Sequence, residues 1–175
     1  MIYIYNCFAG THSSALAAAY HLKKIPRDKI PSKEEILNID IFNKLTPNDF
    51  GRFIYHGKDE EANEVYTFGR GKSKDVVPAM ESLLQLLHKH GVTHDKMIFS
   101  NASPTVPIAM TFGGLFSRRL HIDWIGVPLL IKGAQQTYPN VQRLVEKTIE
   151  TAKTTKERIT ILDNKEIEVN KLFPS

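Results

Sequence analysis

The chain has one cysteine in 175 residues, Cys7, which excludes an internal disulfide. Its seven histidines are scattered and show no C-x-x-C or H-E-x-x-H spacing, so no metal site is expected. No apolar run approaches the roughly 20 residues needed to span a bilayer. The first residues lack the basic segment, apolar core and small-residue cleavage site of a secretory leader. A cytoplasmic protein with no membrane partner is the expectation. Tracts rich in Pro, Ser or Gly are also missing, and with 42% hydrophobic and 24% charged residues the chain reads as ordered. The net charge of +4 is not gathered in one place, because "IPRDKIPSKEEI" and "TAKTTKERI" interleave bases with acids. Nucleic acid is therefore not an expected partner. The length suits one hydrophobic core, so residues 1–175 are read as a single domain.

What the chain does contain is an alternation of strand and helix patterns. Residues 2–8 are apolar and β-rich, and after Gly10 comes the helix-favouring "SALAAAYHLKK", closed by Pro26. Ile30 to Phe50 reads as an excursion of short helices. Arg52–His56 and Glu64–Phe68 flank a polar turn and predict a β-hairpin. Val76, Met80, Leu83, Leu84 and Leu87 mark an amphipathic helix over Lys74–His90 that Gly91 stops. "DKMIFSNASP" predicts a second parallel strand and its turn.

In "TVPIAMTFGGLFSRRL", Ile108, Phe112, Leu115 and Phe116 share one helical face, and Gly113 and Gly114 signal close packing or a break. "HIDWIGVPLLIKG" is nearly continuous apolar sequence between His121 and Gly133, and reads as a strand covered on both faces and made bulged or peripheral by Pro128. A long helix follows over "TYPNVQRLVEKTIETAK", and "RITILDNKEIEV" predicts a closing hairpin or edge strand. The expected class is α/β: three layers, with a mainly parallel sheet, helices on both faces and an antiparallel hairpin appendage.

In such sheets the turns at the carboxyl ends of the strands share one edge, where helix N-termini converge. "CFAGTHSS", "SNASPTVP" and "KGAQQTYP" are the candidates, each rich in small polar residues able to present N–H groups and hydroxyls to an anion. In the first, Gly10 permits close approach of the backbone to a bound group, and Thr11, Ser13 and Ser14 supply donors. The alternative is that Thr11 or Ser13 only caps the helix. Cys7, at the strand end, faces helix N–H groups that favour a nucleophilic sulfur, or else is a small buried hydrophobe. His12 could act as acid or base. The other turns contribute Asn101, Ser103 and Thr105, then Lys132 and Gln135, and Arg70 and Lys72 precede a helix and could clamp a phosphate. Two short matches fail. "GKS" at Gly71–Ser73 has Tyr66 where a Walker loop needs glycine, and "DFG" at Asp49–Gly51 has no kinase companions.

The segments "IYNCFAGTHSSALAAAYHL" and "GKDEEANEVYTFGRG" resemble an uncharacterised family of unknown function (number 3189) from Gram-positive, spore-forming bacteria. The resemblance implies a small cytoplasmic bacterial protein and no assigned activity. The order Cys7, Ala9, Gly10, Ser13, Ser14 is similar to the phosphocysteine loop of lactose/cellobiose-type IIB components of the sugar phosphotransferase system. By that likeness Cys7 would accept phosphate and Gly10 to Ser14 would cradle it. The spacing also resembles low-molecular-weight tyrosine phosphatases, but Ser13 stands where that family has its phosphate-binding arginine, which argues against phosphatase chemistry.

The function expected is binding of a phosphorylated small molecule or nucleotide at the "AGTHSS" loop, with Asn101, Ser103 and Lys132 nearby. The alternatives are an enzyme performing phosphoryl transfer through Cys7 or hydrolysis assisted by His12, and a non-catalytic interaction domain. No cofactor is expected.

Overall fold

A computed structural model describes residues 1–120 and 122–167. Its centre is strand β1 (Ile2–Cys7), buried from Tyr3 onward, as a strand with parallel neighbours on both sides must be. β1 runs into helix α1 (Ser13–His21), and the excursion that follows holds only the short helix α2 (Lys33–Leu37), started by a capping box between Ser32 and Glu35. The hairpin forms as β2 (Ile54–Lys58) and β3 (Glu64–Gly69), antiparallel and irregular between Tyr55 and Gly57. Helix α3 (Val76–Lys89) leads to β4 (Met97–Asn101). Next come α4 (Ile108–Gly114), the long α5 (Asp123–Thr154) and β5 (Ile159–Leu162). The five-stranded sheet has the order β2-β3-β1-β4-β5, parallel except for β2. The expected α/β class and mainly parallel sheet with its antiparallel hairpin are thus present.

Alternate residues of β1 enter different clusters. Tyr3, Tyr5 and Cys7 pack with Leu16 and Tyr20 of α1 and with Leu130, Tyr138, Val141 and Leu144 of α5. Ile4 packs with Phe68, Phe99 and Ile159, against which Val76, Val77, Met80 and Leu84 of α3 lie. α3 contributes no fully buried residue, and Leu83, on its predicted apolar stripe, is 56% exposed.

One expectation about the fold needs correction. The strand expected over 121–133 is absent where the run is described. From Asp123 onward it is the first part of α5, which continues without a break to Thr154, while His121 lies outside the described residues. A short apolar run is equally suited to a buried helix, and the contacts decide it. A Cβ on Gly113 would stand 2.7 Å from the Leu130 backbone nitrogen, one on Gly126 2.5 Å from that of Ser117, and one on Gly133 2.7 Å from that of Met110. Glycines therefore form a seam along which α5 and α4 meet backbone to backbone. Pro128 deprives only the Trp124 carbonyl of a helical partner, and Trp124, 80% exposed, sits on the solvent side.

The same seam decides which way α4 faces: Ile108, Phe112 and Leu115 of the predicted shared face are exposed, and α4 passes at Leu115 into a wider π-helical turn over Leu115–Arg119. Of the two tail options the edge strand is realised: β5 pairs in parallel with β4, and a 3-10 turn (Lys165–Ile167) follows. The rest of the predicted second β run lies outside the described residues.

Candidate functional site

β3, β1, β4 and β5 are parallel, so their carboxyl ends share one edge. From β1 the chain passes to β3 on one side, and from β3 it crosses to β4 on the other. The connections leaving β1 and β4 therefore diverge, and the turn after Cys7 stands at that divergence. Its shape is fixed by glycines in contact: Gly10 has φ +73°, and a Cβ there would lie 2.5 Å from the Gly69 backbone nitrogen. β3 extends the attachment, with the Arg70 N–H donating to the Cys7 carbonyl at 3.0 Å and the Gly71 N–H to that of Phe8 at 2.9 Å.

Within the turn Cys7 is buried, and its Sγ receives the Gly10 N–H at 3.1 Å and stands 3.2 Å from Ser14 Oγ. Ser13, the first residue of α1, is fully buried, and its Oγ has no hydrogen-bond partner. Asn6 Oδ1, one residue before Cys7, is likewise buried without a partner. Thr11 turns elsewhere: its hydroxyl donates to the Ile41 carbonyl and accepts the Lys44 N–H at 3.2 Å, anchoring the 41–45 segment. His12 Nε2 is 3.2 Å from Asn43 Oδ1, and its ring meets that of Phe42 edge-on. Asn43 Nδ2 donates to Ser117 Oγ at 2.9 Å, and Ser117 Oγ to Asp123 Oδ1 at 2.5 Å. His12 is thereby tied to the junction of α4 and α5.

The turn after β4 lies beside the first. Asn101 Oδ1 accepts the Ser103 N–H at 3.0 Å, and Ser103 Oγ accepts Arg70 Nη2 at 3.2 Å. The third predicted turn does not exist. "KGAQQTYP" is helical, and Lys132 is an exposed residue in the interior of α5, not one at a strand end. The structure thus brings together Cys7, Gly10, Ser13, Ser14, Asn101 and Ser103 on the carboxyl edge. Among the described residues no group of three or more His, Cys, Asp or Glu is placed to hold a metal, and no helix is long and apolar enough to cross a membrane.

A second polar cluster lies at the opposite end. The Tyr5 hydroxyl is 2.8 Å from His21 Nδ1, and His21 Nε2 is 3.2 Å from Asp59 Oδ2. Burial lowers the His21 pKa, only partly opposed by its bond to Asp59, and burial holds the Tyr5 hydroxyl well above its ordinary range. Burial also raises the Asp59 pKa, but hydrogen bonds from Asn63 and His21 outweigh it, and the carboxyl stays low. A neutral imidazole between an ionised carboxylate and a phenol has one arrangement that satisfies all three. Tyr5 donates to Nδ1, and Nε2–H donates to Asp59. A hollow of about 270 Å³ lies elsewhere, between Ile4, Tyr66 and Phe99 of the sheet and Met80, Leu83 and Leu84 of α3.

Residues 2–150 match the family described as Protein of unknown function (DUF3189). The chain belongs to that family. No curated protein and no solved structure matches it.

The DUF3189 match takes in both carboxyl-edge turns and the amino-end cluster, and it assigns a role to neither. Three residues tied into the network around His12, namely Asn43, Ser117 and Asp123, escaped sequence reasoning. Asn43 comes from the excursion of weak periodicity, and its only local signal is that asparagine tolerates a left-handed conformation, here φ 56°. Ser117 and Asp123 reach His12 through the α4–α5 junction, which a strand reading of 121–133 could not have produced.

Proposed function

We propose that this protein binds the phosphoryl group of a small molecule or nucleotide at the turn between β1 and α1. The observation that carries the reading is the fully buried Ser13 hydroxyl, left without a partner in the first turn of a helix. A buried, unsatisfied polar group is costly in a folded protein, and a bound ligand is one compensation for keeping it. Helix N–H groups and the helix dipole add attraction for an anion at the same place. The reading takes the molecule as a three-layer, Rossmann-like arrangement with α1 and α5 on one face and α3 on the other, working in the bacterial cytoplasm. In such folds ligands lie at the carboxyl edge where connections diverge.

A thermal-shift panel of nucleotides and sugar phosphates tests it. A ligand at a hundred times its Kd stabilises by about 2.7 kcal/mol. No shift with any phosphorylated compound would favour the interaction-domain reading.

A second reading is favoured by the place of Cys7 Sγ at the end of β1, where it accepts the Gly10 N–H at 3.1 Å and stands 3.2 Å from Ser14 Oγ, beside the first turn of α1. In a phosphoryl transfer, Sγ bonds to phosphorus as the bond from phosphorus to the donor's leaving oxygen breaks, and the thiol proton passes to that oxygen. Incubation with acetyl phosphate should then add one phosphoryl group to the intact mass of the wild type and none to Cys7→Ser. Turnover retained by Cys7→Ser would exclude this chemistry.

A further inference from the structure

We infer that Arg70 closes this site over a phosphate dianion, either the terminal group of a phosphomonoester or inorganic phosphate; the inference rests on the anion-binding reading above. β1 lies between β3 and β4, so the strands carrying Arg70 and Ser103 are two sheet spacings apart, about 10 Å. The Arg70 backbone sits beside Cys7, to whose carbonyl its N–H donates, yet its Nη2 reaches Ser103 Oγ at 3.2 Å. The side chain must therefore pass across the carboxyl end of β1, over the turn that holds Cys7.

Nη1 donates to the Ser73 carbonyl at 3.3 Å, so the guanidinium is held from both sides by neutral oxygens. Among the described residues no Asp or Glu forms an ion pair with it, whereas Arg52 pairs with Asp49. A half-buried, fixed and uncompensated guanidinium is a charge awaiting an anion, with donors to spare in its fork.

The ligand class follows from the directions of the donors. The Arg70 fork approaches from the β3 side and suits two oxygens of one phosphate. The first turn of α1, with Ser13, approaches separately. A monoester or free phosphate offers three or more free oxygens to meet both sets, whereas a diester offers two. The guanidinium absent from the turn itself, where Ser13 stands, is thus supplied by the neighbouring strand.

Calorimetric titration of the whole protein with inorganic phosphate, phenyl phosphate and diethyl phosphate tests this, using wild type, Arg70→Met, Arg70→Lys and Ser103→Ala. Wild type should bind one of the first two and not the diester. The affinity for phenyl phosphate should rise between pH 5.5 and 7.5, as its second proton leaves near pH 6. Arg70→Met should weaken binding about tenfold or more, Arg70→Lys less, and Ser103→Ala a few-fold, with folding checked by circular dichroism. Tighter phenyl phosphate identifies an esterified ligand and tighter inorganic phosphate a free one, and either supports the dianion assignment.

Wild-type affinity in Arg70→Met, or in both Arg70→Lys and Ser103→Ala should the methionine variant not fold, overturns the role of Arg70 and leaves the anion site standing. Equal binding of the diester overturns the dianion. Failure of wild type to bind any phosphate removes the anion site and this inference together.

Discussion

The two ends of the sheet are both polar and buried, yet they differ in what their polar groups have left to offer. At the amino end the Tyr5–His21–Asp59 chain is matched link by link. Tyr5 donates to His21, His21 to Asp59, and Asp59 Oδ1 accepts the backbone N–H groups of Glu61 and Asn63 at 2.9 and 2.8 Å. Tyr20 is similarly engaged, donating to Glu146 at 2.8 Å while the Arg27 guanidinium stands 4.6 Å from its ring centre. At the carboxyl end Ser13 Oγ and Asn6 Oδ1 have no partner, and Arg70 has no counter-ion among the described residues. Density of titratable groups marks the first region more strongly than the second. Fully buried side-chain atoms without a partner, among the described residues, mark the second, and a ligand requires that unused capacity.

The largest expected effect would break the carboxyl turn itself. Gly10→Ala places a Cβ 2.5 Å from the Gly69 nitrogen and 2.8 Å from the Phe68 carbonyl carbon, in a backbone with φ +73°. Neither neighbour is a flexible side chain that could yield, so β1 and β3 must separate locally. A destabilisation of about 3 kcal/mol or more is expected in chemical denaturation. A loss under about 1 kcal/mol would mean that the turn is not pinned to β3, and the proposed phosphate site would lose its rigid base.

Next in size is a break at the amino end. His21→Leu removes the acceptor of Tyr5 and a donor to Asp59, leaving a buried phenol unpaired, at a cost of about 2–3 kcal/mol. Phosphate affinity in the same variant should stay at the wild-type value. A large loss of affinity would mean that the two ends are coupled and the contrast between them false.

Acid sharpens the comparison from the same side. Burial lowers the pKa of His21, and burial followed by the Lys24 charge pushes that of His56 down to about 4. A histidine with a depressed folded pKa binds its proton more readily when unfolded. The stability it secures is complete above its ordinary value near 6.5 and is lost as pH falls toward the folded value. Melts between pH 7 and pH 4 should show a loss of about 2 kcal/mol from His56 after allowance for solvent screening. His56→Gln should flatten that slope. An unchanged slope would place the acid sensitivity in other groups.

How far the sequence reveals the two ends depends on how local each one is. The turn after β1 was legible because strand, Gly10, Ser13 and helix follow one another within a dozen residues, and the predicted strand and helix are close to Ile2–Cys7 and Ser13–His21. The amino-end cluster was not, because Tyr5, His21 and Asp59 meet only after α1 returns along β1 and the hairpin turn folds against it. The misread segment from 121 to 133 has a different cause. Gly126 and Gly133 look like helix breakers until Ser117 and Met110 are seen pressed against them. Glycines seven apart, facing Gly113 across a helix pair, are a packing signal that composition alone cannot separate from a turn. That error also moved Lys132 to an imagined strand end. The bridge from Arg70 to Ser103 depends on β1 lying between their strands, an order that the linear sequence does not display.

The smallest effect on stability is the most discriminating. Ser13→Ala removes a buried hydroxyl that has no partner and puts a better helix former in the first turn of α1. If Ser13 were a cap or a core contact, its loss would destabilise, as removal of Ser14 or Thr11 should through Cys7 and the 41–45 segment. Because its hydroxyl has no hydrogen-bond partner among the described residues, the alanine variant should be as stable as wild type or up to about 1 kcal/mol more stable. Its affinity for phosphate should nevertheless fall several-fold. Opposite signs for stability and binding at one atom are what a ligand contact produces and a structural contact does not. Denaturation and titration of the same preparation read both, and a variant that loses stability while keeping affinity would return Ser13 to the architecture of the helix.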